Sequence, residues 1–192
     1  MSDGGPRLVT VGMSTSVSCG ARDHAKLLSG ALERLSGEPS PMYWLERRDL
    51  SASGSRREIG RWTDQLALSL RAEAATVAVL HYSVFSYSHR GVPLFADRVL
   101  RTLRRSRVQV LTVLHEYAYP WQARDPRGNV WALTQRAALV DVLYTSDAAL
   151  LTAELRVPWL STRQWLPRRP IAVAPVFPNL PPPAPAAGEQ RA

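Results

Sequence analysis

What most constrains this chain is an alternation. Short apolar runs, several of them β-branched, recur between longer segments whose apolar residues return every three or four positions. Residues 7–13 (RLVTVGM) have the composition of a buried strand. After a Ser/Gly loop, His24, Leu27, Leu28, Ala31, Leu32 and Leu35 fall on one face of a helix, which Ser36-Gly37 and the prolines at 39 and 41 end. Residues 42–45 predict a second strand, and Ile59, Trp62, Leu66 and Leu70 a second helix. A third strand follows at 76–81, then a third helix lined by Phe95, Val99 and Leu103, with Gly91 and Pro93 ahead of it. The fourth strand is predicted at 108–114 and the fourth helix at 130–139. A short fifth strand follows at 141–145, with Ser146 or Asp147 placed to cap the next helix, and a sixth at 171–176.

Strands separated by helices of this length can be joined only by crossovers. The expectation is an α/β fold: a single doubly wound Rossmann-like domain with a mostly parallel sheet of five to six strands and helices on both faces. It spans 1–176, and the Pro/Ala-rich residues 177–192 form a linker or tail. With 192 residues and 45% hydrophobic content, the chain can bury one real core and is too apolar for disorder. One cysteine excludes a disulfide scaffold or a cysteine-based zinc site. No run approaches the roughly 18 apolar residues of a membrane span, and the N-terminus lacks a signal layout, so a cytoplasmic location is expected.

The formal charge is +8, and Lys26 is the only lysine among 24 basic residues. Arg98, Arg101 and Arg105 form a basic stripe on the side of the third helix away from its apolar residues, which is an ordinary solvated face. No helix-turn-helix, RNA-recognition aromatic pair or zinc finger accompanies it, and no nucleic-acid partner is expected.

Parallel sheets bind ligands at the carboxyl ends of their strands, which selects the loops at 14–23, 81–91, 115–129 and 177–180. In the first, Gly20 would let a ligand approach the backbone and Asp23 lies in the first helical turn, but neither a G-x-G-x-x-G nor a phosphate-loop pattern is present. The second packs two His, two Tyr and three Ser into the eleven positions from His81 to Gly91. Such a mixture suits stacking and directional hydrogen bonds, although a lone histidine ending an apolar strand, as His81 does, is more often a structural residue. The third opens with His115-Glu116, the best-placed pair to take or orient a hydroxyl proton, with Tyr117, Tyr119 and Trp121 alternating behind it. Adjacent strand residues face opposite ways, so His115 and Glu116 need not touch. The histidines and carboxylates show no H-x-x-x-H or H-E-x-x-H spacing, so no metal is expected. The serines lack a G-x-S-x-G elbow.

Several landmarks in these loops carry a resemblance. They are Cys19-Gly20-Ala21-Arg22-Asp23-His24, His81-Tyr82-Ser83, Arg90-Gly91-Val92-Pro93, His115-Glu116, Tyr144-Thr145-Ser146 and Pro175-Val176-Phe177-Pro178-Asn179-Leu180. In this order the chain resembles the N-terminal, acceptor-side domain of family 4-like glycosyltransferases with the two-Rossmann glycosyltransferase B fold, especially bacterial polysaccharide-type members. The resemblance implies metal-free transfer of a sugar from a nucleotide-sugar to a glycan or lipid-linked acceptor. It places His115, with Glu116 beside it, near the transferred sugar; Gly20 and Asp23 on the first loop; and Tyr82, Ser83 and Tyr87 on the acceptor side. The donor-binding Rossmann domain is absent from this sequence. The chain is therefore expected to be inactive alone, with that domain supplied by another chain or by self-association, and a lipid-linked acceptor would bring peripheral contact with an anionic membrane. The alternative is a non-catalytic carbohydrate- or partner-binding module of the same fold.

Overall fold

The computed structural model describes residues 5–118 and 120–175. Six strands, β1 (Leu8–Ser14), β2 (Met42–Glu46), β3 (Val77–Ser83), β4 (Gln109–Glu116), β5 (Ala148–Leu151) and β6 (Ile171–Val173), form one sheet in the order β2-β1-β3-β4-β5-β6. Every neighbouring pair is parallel. Helices α1 (Gly20–Ser36), α2 (Ala52–Ala72), α3 (Ala96–Ser106), α4 (Pro126–Thr145) and α5 (Val157–Ser161) connect them, with a 3₁₀ turn at Glu154–Arg156 before α5. The chain thus adopts the doubly wound α/β architecture that its alternation predicts. No helix of the described residues is long and apolar enough to cross a membrane.

The strand order fixes where chemistry can sit. From β1 the chain steps outward to β2, then jumps back across β1 to β3 and continues the other way. Right-handed crossovers therefore send α1 to one face and α2, α3 and α4 to the other, where α2 packs on α3 and α3 on α4. The two connections diverge between β1 and β3, opening a crevice at the carboxyl ends of those strands. β1 and β3 are buried on both faces, as central parallel strands are, with Val9, Val11, Met13, Ala78 and Leu80 in the core. Gly12 is a glycine for a packing reason: a Cβ there would run into the Trp44 indole.

Two predicted details move. Residues 141–145, expected as a strand, are the last turn and a half of α4, and the fifth strand lies at Ala148–Leu151. Gln135, Ala138, Leu139, Val142 and Leu143 are buried at helical spacing, so the apolar run continues one helix face. Ser146 ends α4, and Asp147 accepts from the Val110 amide at 2.7 Å, so neither caps a following helix. On α1 the buried residues are His24, Ala25 and Ser29, while Leu27 and Leu35 are exposed, so the helix is rotated from its predicted face. The tail at 177–192 lies outside the described residues.

Candidate functional site

The parallel register brings together three histidines far apart in sequence. His81 on β3 pairs with Gly12 on β1 and Val113 on β4. Paired residues of parallel strands share a face, so His81, Val113 and His115, two further along β4, all point toward the α1 side. The first turns of α1 bring His24 onto the same spot. The His81 and His115 rings stack at 5.3 Å, and His24 meets them edge-on at 5.7 and 5.3 Å. Nδ1 of His81 lies 3.0 Å from Nε2 of His115, a hydrogen bond in which one of the two donates.

All three imidazoles are held neutral. His81 is 1% exposed, and burial pushes its pKa well below the ordinary value, helped by His115 and His24. Burial, then His24 and Arg156, push His115 down to about 4, and burial also lowers His24. One ring nitrogen from each residue lies within 4.8 Å of the others, a spacing that could bracket a cation. The surroundings fit a hydrogen-bonded pair better. If His81 turned Nδ1 to a cation it would give up its bond to His115, and its Nε2 meets no acceptor. A metal-ligating imidazole ordinarily has one.

Glu116 faces elsewhere. The β3–β4 register shifts between Tyr82 and Ser83, so Ser83 pairs with Glu116, and its hydroxyl donates to Glu116 Oε2 at 3.3 Å. His115 therefore belongs to the histidine cluster, and Glu116 belongs to a neighbouring cleft of about 490 Å³ that also takes in Phe85, Tyr117, Arg136, Arg156 and Trp159. Arg156 links the two, lining the cleft while lowering the His115 pKa.

The other predicted site residues divide. Gly20 opens α1, and Asp23 is in its first turn, close in sequence to His24. Tyr82 and Tyr87 do not line a ligand surface: both are fully buried, their rings 5.0 Å apart, and Tyr87 donates to the His81 carbonyl at 3.1 Å. They support the strand that carries His81. Tyr119 lies outside the described residues, and Trp121 is exposed with the Arg136 guanidinium 5.1 Å from its ring.

Arg47 was not legible in the sequence as anything but surface charge. It is 3% exposed and donates to the carbonyls of Ser86 (2.7 Å) and Ser88 (3.0 Å) and to the Ser55 hydroxyl (2.8 Å). Its guanidinium carbon lies 4.5 Å from the centre of the Phe95 ring. It therefore pins the loop that leaves β3 just beyond His81.

No family model and no curated protein matches the sequence. Among solved structures, the chain is similar to a candidate SGNH hydrolase from Slackia heliotrinireducens, at 14% identity and a TM-score of 0.44, over 82% of this chain and 83% of that one. The glycosyltransferase resemblance is withdrawn: the similar structure is described as a hydrolase, not as a glycosyltransferase. The carbohydrate-binding alternative gains no support from these comparisons, and the acceptor-side roles inferred from the resemblance fall with it. At this TM-score the likeness assigns no activity to the chain either.

Proposed function

We propose that the crevice at the carboxyl ends of β1, β3 and β4 binds a small molecule, and that His115 exchanges a proton with its hydroxyl group or with a bound water. The observation that carries this is the 3.0 Å contact between two neutral imidazoles on β3 and β4, beside the point between β1 and β3 where the strand order reverses. A central apolar sheet has no structural need for three clustered imidazoles, two of which leave a buried nitrogen without a partner. With Nε2–H of His115 donating to His81, the lone pair on Nδ1 of His115 is left to accept a proton. His81 then fixes the tautomer and ring orientation, and Tyr87 holds the backbone of His81. Because His115 stays neutral far below pH 7, its lone pair is available throughout the physiological range. The free thiol of Cys19 is compatible with the reducing cytoplasm as the setting for this chemistry.

Carbethoxylation by diethyl pyrocarbonate, which reacts with neutral imidazole, tests the proposal without a known substrate. His115 should be modified at nearly the same intrinsic rate at pH 7 and pH 5.5, whereas a free imidazole slows by on the order of tenfold over that range. His81→Phe should change the rate several-fold by releasing the ring. An unreactive His115, or one that slows like free imidazole, would overturn it.

A further inference from the structure

We infer that the cleft beside β4 is a subsite for an anion carried on a flat apolar body, a carboxylate or phosphate attached to an aromatic ring, with Arg156 as its main cation. This rests on the small-molecule proposal for His115 and gives it a substrate class. The cleft, about 490 Å³, is of the size that encloses a small organic ligand. Its wall is aromatic: the Tyr117 and Trp159 rings lie 5.4 Å apart, and Phe85 adds an exposed edge.

The charged groups point to an anion. The Arg156 guanidinium lies 5.5 Å from the Tyr117 ring centre, with Nη1 shielded from solvent and without a hydrogen-bond partner. Among the described residues no carboxylate lies within ion-pair distance of it. A shielded N–H on a cation is costly to leave unmet. The other guanidinium nitrogens, which are not enclosed in this way, are left for the cleft, where a carboxylate or phosphate would supply both an acceptor and a counter-charge. Arg136 lines the same cleft, its guanidinium 5.7 Å from the Trp159 ring, and burial and Arg163 lower its pKa. Glu116, the lining carboxylate, already accepts from Ser83 and makes no ion pair with Arg156. Glu116 would repel a second anionic group and accept from a ligand hydroxyl, so it favours a ligand with one anionic group and a hydroxyl over one with two anionic groups.

Titration calorimetry with benzoate, phenyl phosphate, inorganic phosphate and uncharged benzyl alcohol tests this on the full chain. At least one aromatic anion should bind about tenfold or more tightly than benzyl alcohol and than inorganic phosphate, and the better of the two identifies the anion. Arg156→Gln should weaken that binding by about tenfold or more, Arg156→Lys by less, and Arg101→Gln on the exposed face of α3 by under about twofold. If Arg156→Gln does not fold, Trp159→Leu supplies the second readout: the advantage of the aromatic anion over inorganic phosphate should disappear. The inference is overturned if neither aromatic anion binds better than benzyl alcohol, or if a folded Arg156→Gln binds as wild type does. Should the anions fail to bind while His115 still reacts as a neutral imidazole, the subsite falls and the proton-exchange proposal stands. The opposite pattern removes His115 and keeps the subsite.

Discussion

Arg47 and His24 show how much one residue's neighbours decide what it is for. In the sequence, Arg47 sits in Glu46-Arg47-Arg48 at a strand end, where charge normally meets water. In the fold its guanidinium is enclosed, with three hydrogen-bond acceptors and an aromatic face but no carboxylate. Burial lowers its pKa, and distant help from Glu58 opposes this only in part. The position is tenable because two carbonyls and a hydroxyl replace water at Nη1 and Nη2, while Nε stays buried without a partner. Replacing it with methionine keeps the stem's packing but leaves the Ser86 and Ser88 carbonyls without their donor. Arg47→Met should therefore destabilise the domain by about 2–4 kcal/mol in urea unfolding and raise amide exchange across residues 84–89. A loss under about 0.5 kcal/mol would show that the guanidinium is not holding that loop. His24 was legible only as part of an apolar helix face. Its partners lie 57 and 91 positions away, beyond any local spacing rule.

At the scale of elements, the alternation of strands and helices was legible because burial on both faces forces continuous apolar runs. Their ends were less so. Residues 141–145 look like a strand in isolation, but tertiary packing keeps them on the buried face of α4, while the helix-favouring Ala148–Leu151 is drawn into the sheet beside β4. The connection from β3 to α3 contains another case. Gly91 reads in the sequence as a helix starter and as part of the Arg90-Gly91-Val92-Pro93 landmark, yet it adopts φ +85°, and a Cβ there would strike the Trp131 indole on α4. Its carbonyl also accepts from Gln135 Nε2 at 2.9 Å, so this glycine docks the connection onto α4. Gly91→Ala combines left-handed strain with overpacking and should cost about 2–4 kcal/mol. That corresponds to a melting temperature lower by roughly 5–12 °C for a domain of this size. A fall of less than about 2 °C would mean that the connection yields easily and that Trp131 is not a fixed stop.

For the whole molecule, the strand order converts remote sequence positions into one crevice, and it also buries titratable groups where water cannot solvate their charge. His24, His81 and His115 all have lowered folded-state pKa values, with burial as the largest cause in each. In the unfolded chain each titrates near 6.5, so as pH falls below that value the unfolded state binds protons that the folded state refuses. Stability is therefore complete above about pH 6.5 and is lost as pH falls toward the folded values, the reverse of a histidine that gains an acidic partner. For His115, lowered to about 4, the loss amounts to on the order of 3 kcal/mol once pH passes below both values. His81, more deeply buried, adds loss in the same direction. Urea unfolding of the wild-type chain should show free energy falling between pH 7.5 and 5, above the range where most carboxylates titrate. His81→Phe, which removes one buried base and the contact it makes, should flatten that slope even if it lowers stability at pH 7.5. An unchanged free energy from pH 7.5 to 5 would mean that the imidazoles take up protons in the folded state, and the neutral pair on which the proton-exchange proposal stands would then be lost.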